Sequence, residues 1–84
     1  DFNTLNCGTY LGHDDTIGSF NSMMPSVRIS GEVEIGDLNF FGVSSVVLQR
    51  KKIGNNTVIA ANSVIMRNTK DGYTYIGNPA KKLD

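Results

Sequence analysis

The chain has 84 residues, 39% of them apolar, and its eight basic and eight acidic side chains cancel to a formal charge of zero. That is room for one domain, with a charge balance that excludes a nucleic-acid surface and no apolar run near the roughly 18 residues of a membrane-spanning helix. Cys7 stands alone, which excludes an internal disulfide and a cysteine-based zinc cluster; nothing at the N-terminus reads as a signal peptide, and the cytoplasm is the expected compartment.

Between positions 5 and 65 every sixth residue is large and apolar: Leu5, Leu11, Ile17, Met23, Ile29, Ile35, Phe41, Val47, Ile53, Ile59 and Ile65. With 39% of the chain apolar, eleven such residues in one fixed frame arise by chance in fewer than about one in ten thousand sequences. The residue after each is often small (Gly12, Gly18, Ser30, Gly36, Gly42, Gly54, Ala60), and the residue two before is usually compact (Thr9, Val27, Val33, Ser45, Thr57, Ser63). A period of six is a multiple of the strand period of two and fits no helical period. Each hexad is therefore predicted to be a short strand plus a turn, its sixth residue inward and the small residue beside it letting the backbone bend. Repeats of this length stack into a parallel β-helix, whose inward ladders bury apolar surface at about 25 cal/mol per Å². Phe40, Val46, Val58 and Val64 precede the ladder and face outward. Apolar surface of that kind marks an interface, so self-association is expected.

The segments ISGEVEIGDLNFFG and KKIGNNTVIAANSVI resemble the hexapeptide-repeat acyltransferases. That resemblance implies an all-β, left-handed parallel β-helix of three to four coils, three hexads to a triangular coil, assembled as a homotrimer. The left hand comes from the resemblance, since the general rule for parallel crossovers gives the right hand. The expected organisation is a single β-helix domain over 1–84, with repeats over about 5–67 and a C-terminal cap over about 68–84. The chain starts at Asp1 and not Met, which reads as a trimmed protein or the tail of a longer one, with residues 1–4 as the edge of a preceding coil.

Residues 5–18 (LNCGTYLGHDDTIG) hold the one histidine, His13, followed by Asp14 and Asp15. A lone histidine in a turn is ordinarily solvated or structurally bonded, and its setting is what singles this one out. The segment is similar to the N-T-x-x-x-I-x-H-[DE]-C-x-I-G of sialic-acid O-acetyltransferases and nucleotide-amino-sugar N-acetyltransferases. Asn6, His13, Asp14, Ile17 and Gly18 match it, and Asp15 departs from the usual cysteine. The resemblance implies His13 as catalytic base, Asp14 as its orienting acid and Asn6 as a substrate contact. The chemistry suits these types: acetyl transfer from a thioester needs a base near neutral pH, and a carboxylate fixes the imidazole tautomer. Neighbours on a strand point to opposite faces, so Asp14 reaches His13 only at a corner, and the hexad phase puts both beyond Gly12. Asp15 is the fallback orienter. Metal-dependent carbonic anhydrases on the same β-helix need three histidines per zinc, so a single His13 excludes that chemistry, and no metal site is expected.

Contacts to acetyl-CoA follow from the resemblance alone: Ser22, where some relatives place a second histidine; Gly31 near the same groove; Gly42 and Val43 along the pantetheine arm; Ala61; and Gly77, within a Tyr75–Lys81 segment close to a closing V-G-x-P-A-K. Turn geometry is the plainer explanation of these glycines. Arg50, Lys51 and Lys52 form the basic cluster, read either as a contact to coenzyme A phosphates or as a solvated turn. Lys51 occupies a normally compact inward phase, so the chain bulges there or the lysine snorkels. The pattern fails at Asp71, where the solenoid is expected to end.

The functional expectation is an acetyl-CoA-dependent transferase acting on an amino or hydroxyl group of a sugar or nucleotide sugar, with the cofactor between neighbouring subunits. Cys7 as an acyl carrier has no base at recognisable spacing. Two alternatives stay open: a non-catalytic trimeric β-helix scaffold, and an acetyltransferase for another small acceptor. The hexads specify fold, and function rests on the site.

Overall fold

Each hexad forms a two-residue strand, and the strands stack at a constant offset. The computed structural model describes residues 2–83; Asp1 and Asp84, at the ends of the expected edge and cap, lie outside that range. The strands are β1 (Thr4–Leu5), β2 (Tyr10–Leu11), β3 (Thr16–Ile17), β4 (Ser22–Met23), β5 (Arg28–Ile29), β6 (Glu34–Ile35), β7 (Phe40–Phe41), β8 (Val46–Val47), β9 (Lys52–Ile53), β10 (Val58–Ile59) and β11 (Val64–Ile65). A hairpin of β12 (Thr74–Gly77) and β13 (Ala80–Leu83) closes the chain. Thr4 pairs with Ser22, Ser22 with Phe40 and Phe40 with Val58. Tyr10, Arg28, Val46 and Val64 pair likewise, as do Thr16, Glu34 and Lys52. Each of these steps is parallel and spans 18 residues, so three hexads make one triangular coil. The walls are β1-β4-β7-β10 with the hairpin, β2-β5-β8-β11, and β3-β6-β9. The result is an all-β parallel β-helix of about four coils. No helix of the described residues is long and apolar enough to cross a membrane.

The sixth-position ladder fills the interior. Met23, Ile29, Phe41, Val47 and Ile59 are fully buried, with Ile35, Ile53 and Ile65 nearly so. The positions two earlier also point inward: Val27, Val33, Ser45, Thr57 and Ser63 are buried, and so are Asn21 and Asn39. The asparagines form an amide ladder. Asn21 N donates to Asn3 Oδ1 (2.9 Å), Asn39 N to Asn21 Oδ1 (2.9 Å) and Thr57 N to Asn39 Oδ1 (2.8 Å). Their Nδ2 groups donate to Gly36 O (2.9 Å) and Gly54 O (2.8 Å), so buried polar groups are satisfied by the coil they point to. The β6–β9 register runs without a bulge through half-buried Lys51.

The corners differ from expectation. The small residues beside the ladder do not make the bend; the bend falls two residues later. Among the described residues, ten that are not glycine, including Asp14, Phe20, Leu38 and Arg50, take φ between 54 and 63. A left-handed side chain costs about 1–2 kcal/mol, and from Ser26 onward a hydrogen bond between coils offsets it. The N–H of Ser26, Glu32, Leu38, Ser44, Arg50, Asn56 and Asn62 each donates to a carbonyl of the preceding coil at 2.9–3.1 Å. The glycines beside the ladder serve close approach instead.

Beyond β11 side chains replace the missing strand of the third wall. Asn68 Oδ1 accepts from Lys52 N (2.8 Å), Thr69 Oγ1 from Gly54 N (3.1 Å) and Asp71 Oδ1 from Asn55 N (2.8 Å). Tyr75 of β12 is buried against the last coil, its hydroxyl accepting from Lys70 N at 2.7 Å. Outside, Phe40 and Val58 are exposed on the first wall, while Val46 and Val64 are half-buried on the second.

Candidate active site

The chain turns between β2 and β3, and a glycine sets how tightly. A Cβ on Gly12 would lie 2.6 Å from Gly31 N and 2.9 Å from its Cα. No side chain fits there, so the bare residue lets the first coil settle on the second. Asp14 then takes φ 60, a conformation that a short polar side chain tolerates better than most. The reversal breaks strand alternation and brings neighbouring side chains within reach. His13 Nδ1 lies 3.4 Å from Asp14 Oδ2. With Nδ1–H donating to the carboxylate, Nε2 is left as the acceptor, the form that a general base requires. The contact is long, and the two side chains are 80% and 82% exposed. An ion pair so solvated holds its partners weakly.

The imidazole has a second neighbour in the coil above. A Cβ on Gly31 would lie 3.3 Å from both Cε1 and Nε2 of His13. The same corner continues through Glu32 to Arg50, whose Nε donates to Glu32 Oε1 at 3.4 Å. Asp15 does not act as the orienter: its Oδ1 accepts from Val33 N at 2.8 Å, and its Oδ2 is buried with no hydrogen-bond partner among the described residues.

The other candidate residues gather elsewhere. Gly42, Val43 and Ala61 share the corner between the first and second walls, where Asn62 N donates to Val43 O at 2.9 Å. A Cβ on Gly42 would lie 2.5 Å from Ala61 N. Asn6 stands at the same corner, its Nδ2 donating to Met23 O at 2.9 Å, so the amide is committed to the coil. Ser22 is half-buried on the first wall between Thr4 and Phe40. Gly77 ends β12, its N–H donating to Ser63 Oγ at 3.0 Å. Within one chain the second wall separates the His13 corner from that of Gly42, Val43 and Ala61. The basic cluster is divided as well, with Arg50 at the His13 corner and Lys52 on the third wall.

Sequence reasoning passed over a cavity of about 500 Å³ between the last coil and the hairpin, lined by Ile65, Met66, Arg67, Tyr75, Ala80, Lys81 and Lys82 among others. Lys82 Nζ also sits 4.3 Å from the centroid of the Tyr73 ring. An apolar floor with a cationic rim suits a partly apolar anion. The signal was present in the Lys81-Lys82 pair that follows Pro79-Ala80.

The chain matches no protein-family model. It is 30% identical over 78 residues to the candidate acetyltransferase YvoF of Bacillus subtilis, covering 93% of this chain and 45% of that protein. Among solved structures it superposes with a TM-score of 0.98 on PerB of Caulobacter crescentus in complex with CoA and GDP-perosamine, at 31% identity over all of this chain and 41% of that one. It superposes at 0.94 on the acetyltransferase domain of PglB from Neisseria gonorrhoeae in complex with acetyl coenzyme A, at 30% identity over 96% of this chain and 40% of the other. The chain thus spans less than half the length of these relatives. Its homologues are acetyltransferases of the hexapeptide-repeat, sugar N-acetyltransferase type, and the chain is a β-solenoid of their kind.

Proposed function

We propose that the protein transfers an acetyl group from acetyl-CoA to an amino or hydroxyl group of a sugar or nucleotide sugar, with His13 as general base. The observation that carries this reading is a histidine–carboxylate pair at a corner of a solenoid that superposes on CoA-binding acetyltransferases. His13 Nε2 takes the proton of the acceptor as its nitrogen or oxygen attacks the thioester carbonyl carbon. The carbon–sulfur bond breaks, and the proton passes to the departing thiolate of CoA. Asp14 holds the tautomer and stabilises the imidazolium.

The cofactor lies between neighbouring subunits of a homotrimer. Gly42, Val43 and Ala61 sit one wall away from His13 in their own chain, so they line the same groove as His13 only when supplied by a second copy. Exposed Phe40 and Val58 provide apolar surface for that assembly. Ser22 and Gly77 complete the cofactor contacts, Asn6 shapes the acceptor side, no metal takes part, and the compartment is the cytoplasm.

The test is calorimetry with acetyl-CoA alongside the mass of the chain in solution. The expected result is a trimer binding about one acetyl-CoA per subunit. A trimer without binding overturns the enzyme reading and leaves a scaffold. The scaffold reading is favoured by the solvent exposure of His13 and Asp14 in the single chain.

A further inference from the structure

Asp14, exposed and 3.4 Å away, sets the tautomer of His13 but does little to hold its ring in place. A base must nevertheless be held in a productive geometry. We propose that Gly31 is the positioning residue for His13: the bare backbone of the second coil is the surface against which the imidazole rests. This rests on the reading of His13 as base.

Three observations carry it. A Cβ on Gly31 would meet Cε1 and Nε2 at 3.3 Å, closer than side-chain carbons ordinarily approach. Gly31 has no room to withdraw, because hydrogen bonds pin its turn to the coils on both sides: Glu32 N donates to His13 O at 2.9 Å and Arg50 N to Gly31 O at 3.1 Å. Gly12 holds the two coils together at backbone contact. A side chain at 31 therefore presses on the exposed ring at 3.3 Å, while the nearest backbone atom of the first coil, His13 O, lies at 3.4 Å, an ordinary contact. Gly31 also lies outside the set of left-handed residues, so an alanine there meets no backbone strain. The glycine is required by its neighbour and not by its own conformation.

His13 is the chain's one histidine, so its ring protons give a single assignable set of signals. In the unaltered protein, cross-relaxation between His13 Hε1 and the Gly31 α-protons is expected. Gly31→Ala is expected to move the Hε1 resonance at fixed pH and to lower kcat about threefold to tenfold, with KM for acetyl-CoA little changed; Gly31→Val lowers kcat further. Resistance to urea stays the same or rises slightly. An absent cross-relaxation signal, an unmoved ring resonance or an unchanged kcat each overturns the proposal. So does a raised KM for acetyl-CoA at constant kcat, which assigns Gly31 to the cofactor. If the unaltered protein shows cross-relaxation but no turnover, the base role of His13 has failed and the positioning role falls with it, a result distinct from an active enzyme whose ring ignores Gly31.

Discussion

The first and second coils share one hexad pattern but differ in what closes them. Leu5 and Leu11 stand in register with Met23 and Ile29, yet they are 46% and 36% exposed where their partners are fully buried. A solenoid coil is covered by the coils on either side, and among the described residues the first has a neighbour on one side only. The candidate chemistry sits in that less covered coil, with His13 and Asp14 open to solvent. Holding shape and presenting reactive groups are thus divided along the axis. The middle coils supply rigidity, and the second supplies the glycine floor on which the first presents its histidine.

That division can be broken by substitution. Ile29→Ala is expected to cost about 3 kcal/mol of unfolding free energy, within the usual range for a buried aliphatic. Leu11→Ala, its register partner, costs about 1 kcal/mol or less, because much of the side chain is already in water. Urea denaturation of both variants checks this; equal losses would mean that the first coil is as well packed as the second. A smaller effect sharpens the comparison within the first coil. Asp15 occupies the inward phase filled elsewhere by Asn21 and Asn39, whose amides both accept and donate. Its Oδ1 accepts as theirs do, but its Oδ2 has nothing to donate. Asp15→Asn is therefore expected to raise stability by about 1 kcal/mol, and a loss of stability would show that the carboxylate has a partner of its own.

Much of the fold was legible because a period of six leaves few options. The inward ladder and the placing of His13 and Asp14 at a corner are visible in the order of side chains, whereas three hexads per coil came from the family resemblance and not from the period itself. The bends were assigned to the wrong residues. Glycine beside the ladder suggested flexibility, whereas the left-handed positions hold Phe20, Leu38 and Arg50, types that no local rule would put there. Leu38 and Arg50 are held by hydrogen bonds to a residue 19 positions earlier, Leu38 N to Ser19 O and Arg50 N to Gly31 O, a relation that no short window contains. The asparagine ladder escaped for the same reason, since each amide is satisfied 15 to 18 residues away. In the site, the histidine and its acid were readable from adjacent letters. The contact of Gly31 with the ring was not, because it depends on stacking at one full coil.

The central claim is that the His13 corner performs proton transfer in acetyl transfer. Its most direct test is the steady-state rate of acetylation of a nucleotide amino sugar by the protein and by His13→Ala, with urea denaturation as the control for folding. The account predicts a loss of about 100-fold or more in kcat with unchanged stability, since His13 is largely exposed. A variant that turns over at the rate of the unaltered protein would contradict it.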